Sequence, residues 1–209
     1  TAPGRRACAC RASSGTDAVR ILRSVDYKRM PWKNGSGQTT EIAVFPPDAT
    51  VNDFDWRISM ATVGEDGPFS IFPGVDRTLS VLSGEGIELT ISEKPSIALV
   101  RASEPCRFAA DAPTGARLIG GPITDLNVMT RRGRFTHNVT RRLCQSEVQV
   151  TPGHAVSLVV TTDRCGLNGK SNALAPLDTV LLEPRDGTAT FHSDSMTTLF
   201  VIRIETFAL

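Results

Sequence analysis

Apolar residues in this chain come in short runs rich in Val, Ile, Leu, Thr and Phe. Gly, Pro, Asn and Asp break those runs at intervals of about 8 to 15 residues. That rhythm predicts strands. It marks them at Arg20–Ser24, Thr40–Phe45, Trp56–Val63, Thr78–Ser83, Gly86–Ile91, Ser96–Val100, Cys106–Ala109, Ala116–Gly120 and Thr124–Thr130. A second, less regular set follows at Phe135–Arg141, Ser146–Val150, Val156–Thr161, Thr179–Glu183, Ala189–Phe191 and Thr197–Glu205. Only Val25–Met30 hints at a helical turn, with Ser24 as its N-cap. Leu79 to Leu89 reads as a hairpin about Gly84-Glu85-Gly86, where positive φ is expected. The spacing is that of an all-β, antiparallel sandwich or barrel. Two sets in tandem give an expected division: a disordered extension at 1–17, a first barrel-like module over 18–134, and a second over 135–209, with strands shared between the two.

Alternation within strands separates core from candidate chemistry. Successive side chains of a strand point to opposite faces. In Phe54–Val63, Phe54, Trp56, Ile58 and Met60 share one face, which reads as core. Asp55, Arg57, Ser59 and Ala61 share the other, which is either solvated or the polar lining of a cavity. A guanidinium presents a fixed fork of donors that matches a carboxylate, so Arg57 with Ser59 makes a plausible anion grip. In Thr124–Thr130, Asp125, Asn127 and Met129 oppose Leu126 and Val128. Asp125 and Asn127 are placed to order Arg57 or to meet a ligand's donors; edge-strand polarity is the plainer alternative. Trp32-Lys33-Asn34-Gly35-Ser36-Gly37 is a loop entering a strand, offering a cation and an amide beside an aromatic. It lacks the spacing and following helix of a phosphate loop, and a turn pinned by Trp32 is the alternative. Asp66-Gly67-Pro68-Phe69 and Phe72-Pro73-Gly74-Val75-Asp76-Arg77 read as rigid structural turns, in which Asp76 and Arg77 pair with each other or with neighbours.

Composition narrows the classes. The chain has 209 residues and a formal net charge of +1, so no global field draws it to nucleic acid or an anionic membrane. No apolar run approaches the roughly 18 residues of a spanning helix. The basic cluster Arg131-Arg132-Gly133-Arg134, then Arg141-Arg142, has only Phe135 as an aromatic neighbour, so a solvated turn is favoured over RNA binding. The five cysteines are odd in number and lack paired metal spacing, which favours reduced thiols and a cytoplasmic location. His137, His154 and His192 lie far apart and form no His-x-His or His/Glu cluster, so neither a metal nor another cofactor is expected. No Gly-x-Ser-x-Gly elbow is present. Residues 1–17 carry Arg5, Arg6 and Arg11 with no acid before Asp17; a transit peptide is the rival to the expected disordered extension.

Three segments carry a family resemblance: MPWKNGSGQTTEIA at Met30–Ala43, FDWRISMATVGEDGPFSIFPGVDRTLSVLSGEG at Phe54–Gly86, and DLNVMTRRG at Asp125–Gly133. In these the chain resembles the HutD/Ves family, whose members are similar to two cupin (RmlC-like, jelly-roll) barrels in one chain. Ser36 stands where the family usually has the middle glycine of three, and the chain from about Leu143 matches only weakly. The resemblance implies a bicupin without the usual cupin metal ligands. It implies association with histidine utilisation and binding of a small acidic metabolite such as urocanate or formiminoglutamate. It also singles out Lys33, Asn34, Arg57, Ser59, Asp125 and Asn127. With Trp32 bounding the pocket or stacking on a planar ligand, these are the expected ligand-binding residues. Binding is favoured over turnover. The rival is a metal-free isomerase, lyase or hydrolase acting on a small acid, with Asp125 or Glu41 as general base. No nucleic-acid or membrane partner is expected; barrels serving dimerisation, as a homodimer, are a third reading.

Overall fold

The computed structural model describes residues 19–207 apart from 33, 34, 36, 170 and 171. Lys33, Asn34 and the expected extension at 1–17 lie outside the described residues. The first strands are β1 (Arg20–Leu22), β2 (Lys28–Pro31), β3 (Gly37–Phe45), β4 (Trp56–Val63), β5 (Gly67–Pro68) and β6 (Val75–Ser83). Next come β7 (Ile87–Ile91), β8 (Ile97–Leu99), β9 (Cys106–Ala109), β10 (Thr114–Leu118) and β11 (Ile123–Arg131). The remaining strands are β12 (Phe135–Cys144), β13 (Glu147–Val150), β14 (Val156–Thr161), β15 (Cys165–Leu167), β16 (Asn172–Leu174), β17 (Thr179–Leu182), β18 (Ala189–His192) and β19 (Thr197–Thr206).

These strands form four antiparallel sheets. Sheet 1 runs β5-β10-β7-β8, sheet 2 runs β2-β3-β4-β11-β6-β9, sheet 3 runs β1-β17-β14-β19-β12, and sheet 4 runs β13-β18-β15-β16. Three apolar clusters stack them in that order. Leu79, Ile87, Leu89 and Ile123 pack between sheets 1 and 2. Ile58, Leu126, Phe200 and Ile202 pack between sheets 2 and 3. Val159, Leu182, Phe191 and Leu199 pack between sheets 3 and 4. Each such side chain, withdrawn from water, contributes roughly 1.5–3 kcal/mol. The fold is therefore all-β and antiparallel, as the strand rhythm predicts. Strands within 28–131 make sheets 1 and 2, whereas β1 pairs with β17 and joins the sheets built from 135 onward.

Sheets 2 and 3 are each covered on both faces, which is why β4 and β14 are buried along nearly their whole length instead of alternating buried and exposed. In β4, Trp56, Ile58 and Met60 face sheet 3. Phe54, expected on that face, lies before the strand and packs instead with Val75, Ala110 and Met129. The expected helical turn is one 3-10 turn at Ser24–Asp26, followed at once by β2. Ser24 does not cap it: the Asp178 carboxylate accepts from the Ser24 amide at 2.8 Å and from Arg23 at 2.8 Å. The hairpin between β6 and β7 has Gly84 at φ +90° and Gly86 at φ +141°, as its glycines require. His137 of β12 bridges sheets 3 and 2. Its ring nitrogens lie 2.8 Å from the Thr78 hydroxyl and 2.7 Å from that of Thr130, and burial lowers its pKa to about 4.

Candidate functional site

The antiparallel register of sheet 2 arranges its sheet-1 face as a grid. One cross-strand row is Val44 (β3), Arg57 (β4), Met129 (β11) and Arg77 (β6). The next row is Glu41, Ser59, Asn127 and Leu79, and the third is Thr39, Ala61, Asp125 and Val81. A β-bulge in β3 between Glu41 and Ala43 places Ile42 as the extra residue. The bulge lets Ile42 and Ala43 both pack toward sheet 3 while Glu41 stays on the grid side, beside Arg57.

A cavity of about 340 Å³ sits on this grid, and Arg57, Ser59, Arg77, Asn127 and Met129 line its floor, with Thr39 and Ala61 of the third row at its edge. The turn after β5 supplies one wall, with Phe69 and Phe72. Trp32 supplies another, its indole N–H donating to the Thr39 hydroxyl at 2.8 Å. Gly37 makes that placement feasible: a Cβ there would lie 2.7 Å from the indole ring and 2.5 Å from the Thr62 carbonyl oxygen.

Two guanidiniums enter this cavity, and they are satisfied differently. Arg57 donates from Nε to Glu41 at 2.7 Å, so its charge has a partner while its Nη groups carry no hydrogen bond among the described residues. Arg77 is 4% exposed and has no ion pair within 4 Å among the described residues. It lies over Phe69 and Phe72, each 5.2 Å to the ring centroid, and Phe108 at 5.9 Å. Its Nη2 makes only long contacts, 3.5 Å to the Ser70 carbonyl and 3.6 Å to the Met129 sulfur, and its Nε is buried without a partner. Burial lowers its pKa to about 10, the Asp125 carboxylate opposes that, and Arg57 adds to it. Arg77 stays charged at neutral pH. Cation–π contact with three rings offsets part of its desolvation, but the guanidinium's hydrogen-bonding capacity is largely unused.

Asp125 lies in the third row, fully buried and outside the cavity lining. Its Oδ1 accepts from Asn127 Nδ2 at 2.6 Å, whereas Oδ2 is buried without a partner. Burial raises its pKa to about 7, against the pull of Arg77, the Ala61 amide and Asn127. Neither Asp125 nor Glu41 lines the cavity as a free base: one is enclosed and the other is held by Arg57.

Of the residues predicted from sequence, Trp32, Arg57, Ser59 and Asn127 converge on the cavity. The sequence pattern assigns Arg77, Phe69 and Phe72 to structural turns; in the fold Phe69 and Phe72 form the cavity wall and Arg77 lies in strand β6. The strand begins at Val75, directly after the Phe72-Pro73-Gly74 turn, and its two-residue period would have placed Arg77 on the face of Leu79 and Val81. Asp76 pairs with Arg107 and Arg132, each at 2.9 Å, not with Arg77. Of the basic run after β11, Arg132 pairs with Asp76 and Asp111 and Arg134 with Asp55. No group of three or more His, Cys, Asp or Glu poised for a metal occurs among the described residues. Cys106, Cys144 and Cys165 are free thiols. Among the described residues no helix is long and apolar enough to cross a membrane.

A family model described as HutD matches residues 24–200. Protein Ves of Citrobacter koseri is 39% identical over 129 residues, covering 60% of this chain and 61% of that one. An uncharacterised 21.2 kDa protein in the hutC 3' region of Pseudomonas putida is 37% identical over 117 residues, 56% of this chain and 60% of the other. The chain thus spans about three-fifths of the length of the curated relatives it matches. A solved conserved protein of unknown function from Pseudomonas aeruginosa PAO1 superposes with a TM-score of 0.78 at 30% identity, over 91% of this chain and 100% of that one. The structure of HutD from Pseudomonas fluorescens SBW25, in a formate condition, gives 0.75 at 29% identity over the same shares. YhhW from Escherichia coli, at 9% identity, 88% and 97% coverage and a TM-score of 0.63, shares the fold alone.

Proposed function

The chain belongs to the HutD family, and from that premise and the cavity on sheet 2 we propose that it binds a small carboxylate metabolite. The observation that carries this reading is Arg77: a buried guanidinium with an unpartnered Nε, caged by three phenyl rings, in a side chain that lines the same cavity as Arg57. A buried charge is costly unless something completes its hydrogen bonds, and a ligand carboxylate does so in a bidentate geometry. Each such charge-assisted bond contributes about 1.5–3 kcal/mol. Arg57 adds its Nη groups, which carry no hydrogen bond among the described residues, and Ser59 and Asn127 orient the rest of the molecule. Trp32 and Phe69 offer flat apolar surface to a planar or extended body.

Resemblance to a family associated with histidine utilisation makes urocanate and formiminoglutamate the first candidates, and a role in moderating that pathway follows from binding alone. The formate condition of the Pseudomonas fluorescens HutD suggests formate as the minimal probe. The alternative, a metal-free enzyme acting on a small acid, needs a base at the cavity, and Glu41 and Asp125 are both otherwise engaged. The test is a thermal-shift screen of small carboxylates against wild type, Arg57→Ala and Arg77→Met, with NMR of the same mixtures. Stabilisation of wild type alone, with the carboxylate unconsumed, supports binding. Conversion of the carboxylate supports the enzyme, and equal stabilisation of all three proteins sinks the site.

A further inference from the structure

Away from that pocket, sheets 2 and 3 part at one end. Between β6, the end of β12, β19 and the turn after β8 they leave a cleft of about 490 Å³. Its floor is apolar, formed by Leu82 and Phe200, both nearly closed to solvent. Its rim carries Leu143, 50% exposed, and Met196, 62% exposed. Two arginines complete it. Arg141 shares a face of β12 with Val139 and Leu143, and its Nε donates to the Arg101 carbonyl at 3.1 Å, fastening the turn after β8 onto β12. Neither the Nη groups of Arg141 nor the side chain of Arg101 has a hydrogen bond or ion pair among the described residues. The single acid of the cleft, Asp163, is occupied by the hydroxyls of Thr162 at 2.7 Å and Thr197 at 3.0 Å.

We infer that this cleft is a second binding site, for an anion with an apolar body such as a medium-chain carboxylate. Two guanidiniums against one hydroxyl-bound carboxylate leave the cleft net positive, which complements an anionic head. The exposed Leu143 and Met196 would be covered by the methylenes, each worth about 0.8 kcal/mol when buried. A small polar acid would gain from the arginines only. This site is independent of the sheet-2 pocket and of the reading proposed for it.

The four methionines provide a direct test, because Met129 lines the pocket and Met196 lines the cleft. Octanoate titrated into protein carrying 13C-labelled methionine methyls should move the Met196 resonance and saturate. Acetate should not saturate it at the same concentrations. The double variant Arg101→Gln/Arg141→Gln should weaken octanoate binding at Met196 at least tenfold, while Arg77→Met leaves the Met196 titration unchanged. Should the double variant fold poorly, Met196→Glu on the exposed rim serves instead, with calorimetric binding again at least tenfold weaker. Octanoate that shifts Met129 but not Met196, or saturates Met196 in the arginine variant as tightly as in wild type, overturns the assignment; so does acetate that saturates Met196 as tightly as octanoate.

Discussion

Replacing Asp125 by Asn removes a buried titration and should make the protein's stability depend on pH in a new way. Asp125 has its pKa raised from 3.8 to about 7. A carboxyl raised on folding stabilises the native state fully below its unfolded pKa, and that contribution is lost as pH rises through about 7. Between the unfolded and folded pKa values the loss is about 1.4 kcal/mol for each step of one in pH. The wild-type protein therefore loses roughly 2–3 kcal/mol of stability from this group between about pH 5 and pH 8. His137 works in the opposite direction: lowered from 6.5 to about 4, its contribution is fully present above 6.5 and lost as pH falls. Over the same interval it adds about 2 kcal/mol. The two contributions oppose each other across this range. Asn is isosteric and still accepts from Asn127, and Arg77 stays charged throughout, so its lost attraction is a constant offset. Urea denaturation across the range should show Asp125→Asn gaining roughly 2–3 kcal/mol relative to wild type from pH 5 to pH 8, about 5–10 °C in Tm. An offset between the two proteins that stays constant over that range refutes the reasoning, because Asp125 would then titrate as an ordinary carboxylate.

Three further outcomes follow from the geometry. Gly37→Ala puts a Cβ 2.7 Å from the Trp32 ring and 2.5 Å from the Thr62 carbonyl oxygen, so it should cost about 1–3 kcal/mol and change tryptophan fluorescence. His137→Ala leaves the Thr78 and Thr130 hydroxyls facing an emptied site between sheets 2 and 3, and should lower the unfolding free energy by about 2–4 kcal/mol in urea. Glu41→Gln removes the countercharge of Arg57 and should tighten carboxylate binding several-fold by calorimetry; weaker binding would place Glu41 in direct contact with the ligand.

The strand rhythm makes the fold class legible because most strands follow the two-residue period with Gly and Pro between them. It misses β5, β15 and β16, two or three residues each without a readable period, and takes β2 into the expected helical turn. On β4 and β11 alternation separates Arg57, Ser59 and Asn127 from Trp56, Ile58 and Val128, and the register keeps that separation. Arg77 escapes because the glycine and proline before it read as a turn that extends through it, whereas the strand starts two residues earlier. Its environment depends on Phe69 and Phe72 of the turn after β5 and on Phe108 of β9, segments that only tertiary structure brings together over it. For Asp125 the sequence yields the face but not the depth: alternation gives the side of a sheet, but Thr39 and Ala61 of the same row line the cavity while Asp125 is enclosed, a difference set by what packs over each side chain.

Arg77 is the unsatisfied charge that a ligand would complete, and calorimetric titration of formate, urocanate and formiminoglutamate into wild type and Arg77→Met tests this most directly. The Met129 methyl resonance is followed in parallel. Saturable binding of at least one carboxylate is expected in wild type, with Met129 shifting as it binds and affinity falling at least tenfold in the folded variant. Binding that survives Arg77→Met unchanged, or leaves Met129 unmoved, contradicts the proposed role of Arg77.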